Sequence, residues 1–209
     1  MTPFVLKIDA AKYIEFVSFR PVEQLLCFYD TRLVLHLEEK QFVVREDCIK
    51  IVLEDTFRLV NEALNNKLQP HCSVTLPFGY MFNRYLHGDR KGIVSDRLYW
   101  IGSVSLLWSP PSYVYPLVNV WIYNTPDGEI MLEVSGSHYW HLREPDPNDP
   151  RYISYEEYMK DYKVIALIPL PHHTARQWLA QTKFLLDRVM ANEEEYLRLR
   201  GENMPKDES

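Results

Sequence analysis

Apolar and polar positions alternate with period two through the first part of the chain. Residues 4–8, 13–19 and 32–37 carry β-branched or aromatic side chains at every second position, the pattern of half-buried strands. Residues 42–44 add a short apolar run. From residue 46 to 64 the period lengthens. Ile49, Val52, Leu53, Thr56, Val60 and Leu64 fall on one helical face, with Lys50, Glu54, Asp55, Arg58 and Glu62 largely opposite. Asn65 and Asn66 stop this helix. Residues 76–79 (Leu-Pro-Phe-Gly) read as a turn, and residues 80–86 as a short helix.

The second half repeats the change of period. Residues 98–108 and 113–123 read as strands joined across Pro110 and Pro111. Pro126-Asp127-Gly128 is a tight turn, so residues 113–135 should fold as a hairpin. An irregular loop follows at 139–148. Ser154 and Glu157 form a capping box that starts a helix through Lys163. Residues 164–168 are apolar throughout and read as a central strand. Thr174 is the expected N-cap of a last helix whose stripe runs through Trp178, Gln181, Leu185, Arg188 and Val189, with Leu179, Leu186 and Met190 beside it. Gly201 is its expected end. These elements predict one α+β domain over residues 1–200, built on an antiparallel sheet with a helix from its N-terminal half and a long C-terminal helix. Residues 201–209 read as a polar, mobile tail.

Composition narrows the class. The 209 residues are 46% hydrophobic and 13% aromatic, enough for a proper core. A net charge of −6 argues against a general nucleic-acid binder, which needs a basic surface, and suits a basic partner. The start lacks the basic and apolar regions of a secretory signal, and the apolar runs fall far short of the roughly 20 residues that span a bilayer. Cys27, Cys48 and Cys72 show no paired close spacing. They read as reduced thiols, Cys27 and Cys48 as small core residues, so a cytosolic location without membrane attachment is expected.

Candidate chemistry is sparse. His138 and His141, with Glu133 as a third ligand, are one potential metal set, but the stretch reads as loop, and loop histidines in hydrogen bonds are the commoner case. His172 and His173 are adjacent and diverge in regular structure. Cys72 follows His71, yet a thiol nucleophile needs a base placed in space, which the sequence does not supply. Glu156 and Glu157 suit the first turn of a helix better than acid/base work. No phosphate loop, dinucleotide fingerprint or nucleophile elbow is present. No cofactor is expected.

Charge is unevenly spread. Between residues 123 and 162 nine acids (Asp127, Glu129, Glu133, Glu144, Asp146, Asp149, Glu156, Glu157, Asp161) face three bases (Arg143, Arg151, Lys160), a net of −6. Tyr139, Trp140, Tyr152, Tyr155 and Tyr158 are interleaved with them. Aromatics amid acids on loops are the composition of interface anchors with a steering rim.

Residues 129–134 (Glu-Ile-Met-Leu-Glu-Val), His138-Tyr139-Trp140, Ser154-Tyr155-Glu156-Glu157-Tyr158 through Lys163, and Gln177-Trp178-Leu179-Ala180-Gln181 resemble a bacterial immunity protein of a polymorphic toxin system (contact-dependent inhibition, Rhs or type VI). The likeness covers about the C-terminal 40% of the chain. It implies a cytosolic, non-catalytic inhibitor that binds a cognate toxin domain, a nuclease being the case an acidic face suits. It carries over no catalytic residue. Glu144, Asp146, Asp149, Tyr139 and Trp140 are the expected contact residues. Two other classes fit the residues: a small hydrolase or transferase using His138 or His141, and a structural adaptor module.

Overall fold

The computed structural model describes residues 4–18, 20–70, 77–88, 105–111, 114–138, 148–150 and 152–202. Four antiparallel strands form a first sheet: β1 (Phe4–Lys7), β2 (Lys12–Ser18), β3 (Asp30–Leu37) and β4 (Lys40–Cys48), in the order of the chain. Helices α1 (Ile49–Leu64) and α2 (Phe78–Leu86) follow. A second antiparallel sheet holds β5 (Ser105–Trp108), β6 (Val118–Asn124), β7 (Ile130–Gly136) and β8 (Val164–Leu170), with α3 (Tyr155–Lys160) between β7 and β8 and α4 (His172–Glu202) last. The α+β class with a long C-terminal helix is as expected, but the strands are divided between two sheets.

One apolar core joins both sheets to α1 and α4. Leu6, Ile14, Leu33 and Leu35 enter it from the first sheet, and Val120, Ile122, Leu132 and Ile168 from the second. Side chains alternate across a strand, so the period-two pattern of β2 turns Ile14 and Phe16 to the core, whereas β6 is buried on both faces. α1 contributes Ile49, Val52, Leu53, Thr56, Leu59, Val60 and Ala63, nearly the predicted face. At the centre Trp108 and Trp178 are fully buried, with ring centroids 6.3 Å apart. Each indole N–H is satisfied: Trp178 donates to the Lys7 carbonyl at 2.7 Å, and Trp108 to the Thr56 hydroxyl at 3.2 Å. Thr56 in turn donates to the Val52 carbonyl, so no polar atom of this group is left unmatched.

Several boundaries move for identifiable reasons. Residues 46–48 continue β4, because Glu46 pairs with Arg32 across the ladder. β6 begins at Val118, later than expected, since the preceding stretch contains Pro116, which has no N–H to donate to a ladder. Phe78 and Gly79 are the first turn of α2, not a loop. α4 starts at His172, placing Thr174 inside the helix, and runs through Gly201 to Glu202. Its buried stripe passes through Thr182, while Gln181 and Arg188 are exposed. β8 is an edge strand of the second sheet, not a central one: Ile168 and Leu170 are buried, but Ile165 and Leu167 are 38% and 55% exposed. Pro169 fits that edge, where no further ladder needs its missing N–H. The remainder of the expected tail, residues 203–209, lies outside the described residues.

Candidate functional site

Among the described residues, a dense gathering of polar and titratable side chains lies on the flank of the second sheet facing away from the core, where α2 and Tyr158 of α3 meet β7. It begins with a helix that lacks a local cap. The residue ahead of α2 is Pro77, which offers no side-chain hydrogen bond, so the first N–H groups of the helix have no nearby acceptor. Glu133, on β7, supplies it. Its two carboxylate oxygens accept from the Phe78 and Gly79 N–H groups, each at 2.8 Å. Ser135 donates its hydroxyl to the same carboxylate. A fully buried charge is thus held by two backbone donors at a helix N-terminus, where negative charge is favoured.

Gly79 permits the close approach. A methyl group there would run into the Ser135 side chain and the Tyr162 hydroxyl. Phe78, Met81, Trp121 and Tyr123 pack as a small separate apolar cluster around this joint. Burial first, and the Glu133 carboxylate second, push the Tyr123 phenol up to about 12. Burial likewise drives the Tyr158 and Tyr162 phenols upward.

One turn further along α2, Asn83 is fully buried and ties the helix to the end of β7 and the residues after it. Its amide donates to the Gly79 and Gly136 carbonyls at 2.7 and 3.0 Å, and its carbonyl oxygen accepts the His138 N–H at 2.7 Å. The His138 ring sits beyond it, 3% exposed. Its Nε2 is 2.9 Å from the Ile153 carbonyl, an acceptor only, so Nε2 carries the hydrogen. In the neutral ring Nδ1 therefore accepts, and the donor is Nε2 of His87 at 2.9 Å. His87 stacks on Tyr155 with centroids 4.0 Å apart. Burial lowers the His87 pKa, and the His138 ring adds to that.

These side-chain bonds are made largely to backbone groups of α2 and of the segments that end β7 and precede α3. Both ring nitrogens of His138 and both oxygens of Glu133 are taken by protein partners. The pairing of His138 with Glu133 as co-ligands is not realised, and among the described residues no three His, Cys, Asp or Glu side chains converge as a metal set would. His141 lies outside the described residues. Glu156 and Glu157 occupy the first turn of α3 as expected, and the capping box is complete: the Glu157 N–H donates to Ser154 Oγ at 3.2 Å and the Ser154 N–H to Glu157 at 3.3 Å.

Of the predicted contact residues, Asp149 is half-buried in a turn whose carbonyl accepts the Tyr152 N–H at 2.8 Å. Tyr139, Trp140, Glu144 and Asp146 lie outside the described residues. The acids of the region also divide. Asp127 and Glu129 stand exposed at the β6–β7 turn, whereas Glu156, Glu157 and Asp161 are exposed around α3, beyond the opposite end of β7. Glu133 leaves the surface altogether. Cys27 and Cys48 are half-buried at the margin of the core rather than within it. The Cys27 thiol lies 3.5 Å from the Met190 sulfur, and burial raises its pKa, the reverse of activation. Cys72 lies outside the described residues.

A second titratable group was not anticipated. On the solvent face of the first sheet, His36 Nε2 lies 2.9 Å from Glu15 Oε2, and its ring stacks on Tyr13 at 4.2 Å. Strand parity carried the signal: Tyr13 and Glu15 alternate with the buried Ile14 and Phe16, and His36 alternates with Leu35 and Leu37. Only the register, which sets Tyr13 opposite His36, brings them together. Comparisons with protein-family models, curated proteins and solved structures return no match to this chain. Among the described residues no helix is long and apolar enough to cross a membrane.

Proposed function

We propose that this protein acts by occupying a partner: an immunity-type inhibitor that binds a basic toxin domain, such as a nuclease, and blocks its active site or substrate groove without catalysing a reaction. The observation that carries the reading is the commitment of the region's reactive groups. His138, one of the two histidines that a hydrolase or metal site would use, bonds through both ring nitrogens within a buried network, and the Glu133 carboxylate caps a helix. What the region offers outward is different. Among the described residues Glu156, Glu157 and Asp161 are exposed around α3 beside the exposed bases Lys160 and Lys163, and Tyr152 is 38% exposed nearby. A nucleic-acid groove is basic, so it is drawn to such a rim and fast encounter follows. Tyr139, Trp140, Glu144, Asp146 and Asp149 precede α3 in the sequence and are the contacts proposed for the toxin.

The reading is tested by co-expressing the chain with a toxin domain encoded beside its gene and scoring growth together with recovery of a one-to-one complex. Charge reversal at Asp146 and Asp149 should slow association and flatten its salt dependence. Turnover of any substrate that disappears on substitution of His141 would replace inhibition with catalysis.

A further inference from the structure

The last helix carries an apolar stripe that outruns the body of the molecule. Ala175, Trp178, Thr182, Leu185 and Val189 recur at alternating steps of three and four residues, and all are buried. The next step reaches half-buried Asn192, whose amide donates to the Leu25 carbonyl at 3.0 Å. Glu193 accepts the Cys27 N–H at 3.0 Å through one of its two oxygens. From there every residue between 194 and 200 is exposed. The stripe nevertheless continues at the same spacing, through Tyr196 and Leu199, which are 39% and 45% exposed, with Leu197 beside them at 56%.

We propose that this overhang pairs with the same segment of a second copy, antiparallel about a two-fold axis near Tyr196 and Leu197. Alternating steps of three and four are the seam of a helix pair, so the occupant is another helix. Charge then selects which helix. Glu193 stands three residues before Tyr196 and Arg200 four residues after it, on the same face. An antiparallel two-fold sets the Glu193 of each copy opposite the Arg200 of the other, on both sides of the apolar centre. Glu195 and Arg198 lie on the far side and are bonded to each other at 2.7 and 2.9 Å within the helix, so they do not disturb the match. The segment is therefore complementary to itself, and none of the residues assigned to toxin binding takes part.

Light scattering on the full chain across a concentration series, at low and high salt, reads the outcome. A reversible dimer is expected. Leu197→Glu should make it monomeric with an unchanged circular dichroism spectrum, because the site is exposed in the single copy. Arg200→Glu should raise the dissociation constant roughly ten-fold, since two exposed pairs are exchanged for like charges. This second substitution keeps the test open if the first impairs folding. A chain that stays monomeric at every concentration overturns the proposal and leaves the face to an unrelated partner. A dimer that survives Leu197→Glu places the contact elsewhere, and one indifferent to Arg200→Glu rules out the antiparallel register.

Discussion

The two buried tryptophans at the centre and the buried carboxylate on the flank answer one requirement in opposite ways. Trp108 and Trp178 join two sheets and two helices by area. Their indole rings fill space among aliphatic side chains, and each uses a single N–H to stay satisfied. The Glu133 joint brings α2 onto the second sheet by directed bonds: carboxylate to two N–H groups, asparagine to Gly79, Gly136 and His138, histidine to histidine to carbonyl. Burial of area is non-directional and tolerates rearrangement of its neighbours. A buried bond network is all-or-none in character, since removing one member leaves the others desolvated without partners. The first sheet and α1 therefore rest on a forgiving core, whereas the position of α2 and of the segment after β7 rests on a few exacting contacts.

Truncating the centre should have the largest effect. Trp178→Ala removes a fully buried indole and its bond to the Lys7 carbonyl, and should cost about 3–5 kcal/mol in global stability by denaturant unfolding. A loss below about 1 kcal/mol would deny the core its place as the common support. Glu133→Gln keeps the size of the side chain but replaces one acceptor oxygen with a donor facing donors, so about 1–3 kcal/mol should be lost. The comparison makes a sharper statement here: amide exchange should quicken in α2 while the first sheet keeps its protection. Uniform loss across the chain would erase the distinction between the two regions.

The smallest effect is a slope. Burial holds the His87 pKa below the ordinary value of 6.5, so the unfolded chain takes up a proton there more readily than the folded one. Its contribution to stability is complete above pH about 6.5 and is lost as pH falls through the depressed folded value. His87→Gln should flatten the decline of the unfolding midpoint in that window relative to the parent protein. Parallel curves for the two proteins would mean that the histidine couple contributes nothing to the acid sensitivity of the joint.

How much of this is written along the chain follows from which interactions are local. Period-two alternation in β2 and β3 and the stripe of α1 are properties of neighbouring residues; the first marked the strands and the second marked nearly the whole buried face of the helix. The Ser154–Glu157 capping box is complete within four residues and was equally legible. Residues 164–168 show where composition alone misleads: an apolar run reads as central, although only its partners decide whether both sides are covered. The start of α2 was hidden for a related reason. Proline and glycine mark a turn locally, but Glu133, far away in sequence, supplies the cap that turns Phe78 and Gly79 into a helix.

The sequence by itself therefore determined the α+β class, the identities of most elements and the faces they bury, because each depends on spacings of two to four residues that chain geometry converts directly into direction. Tertiary structure alone decided that the strands form two sheets, that Glu133 is a buried cap rather than a surface acid, and that His138 meets His87. A charged or hydrogen-bonding side chain takes its role from the groups it faces, and those are chosen by strand register and helix docking over long stretches of chain.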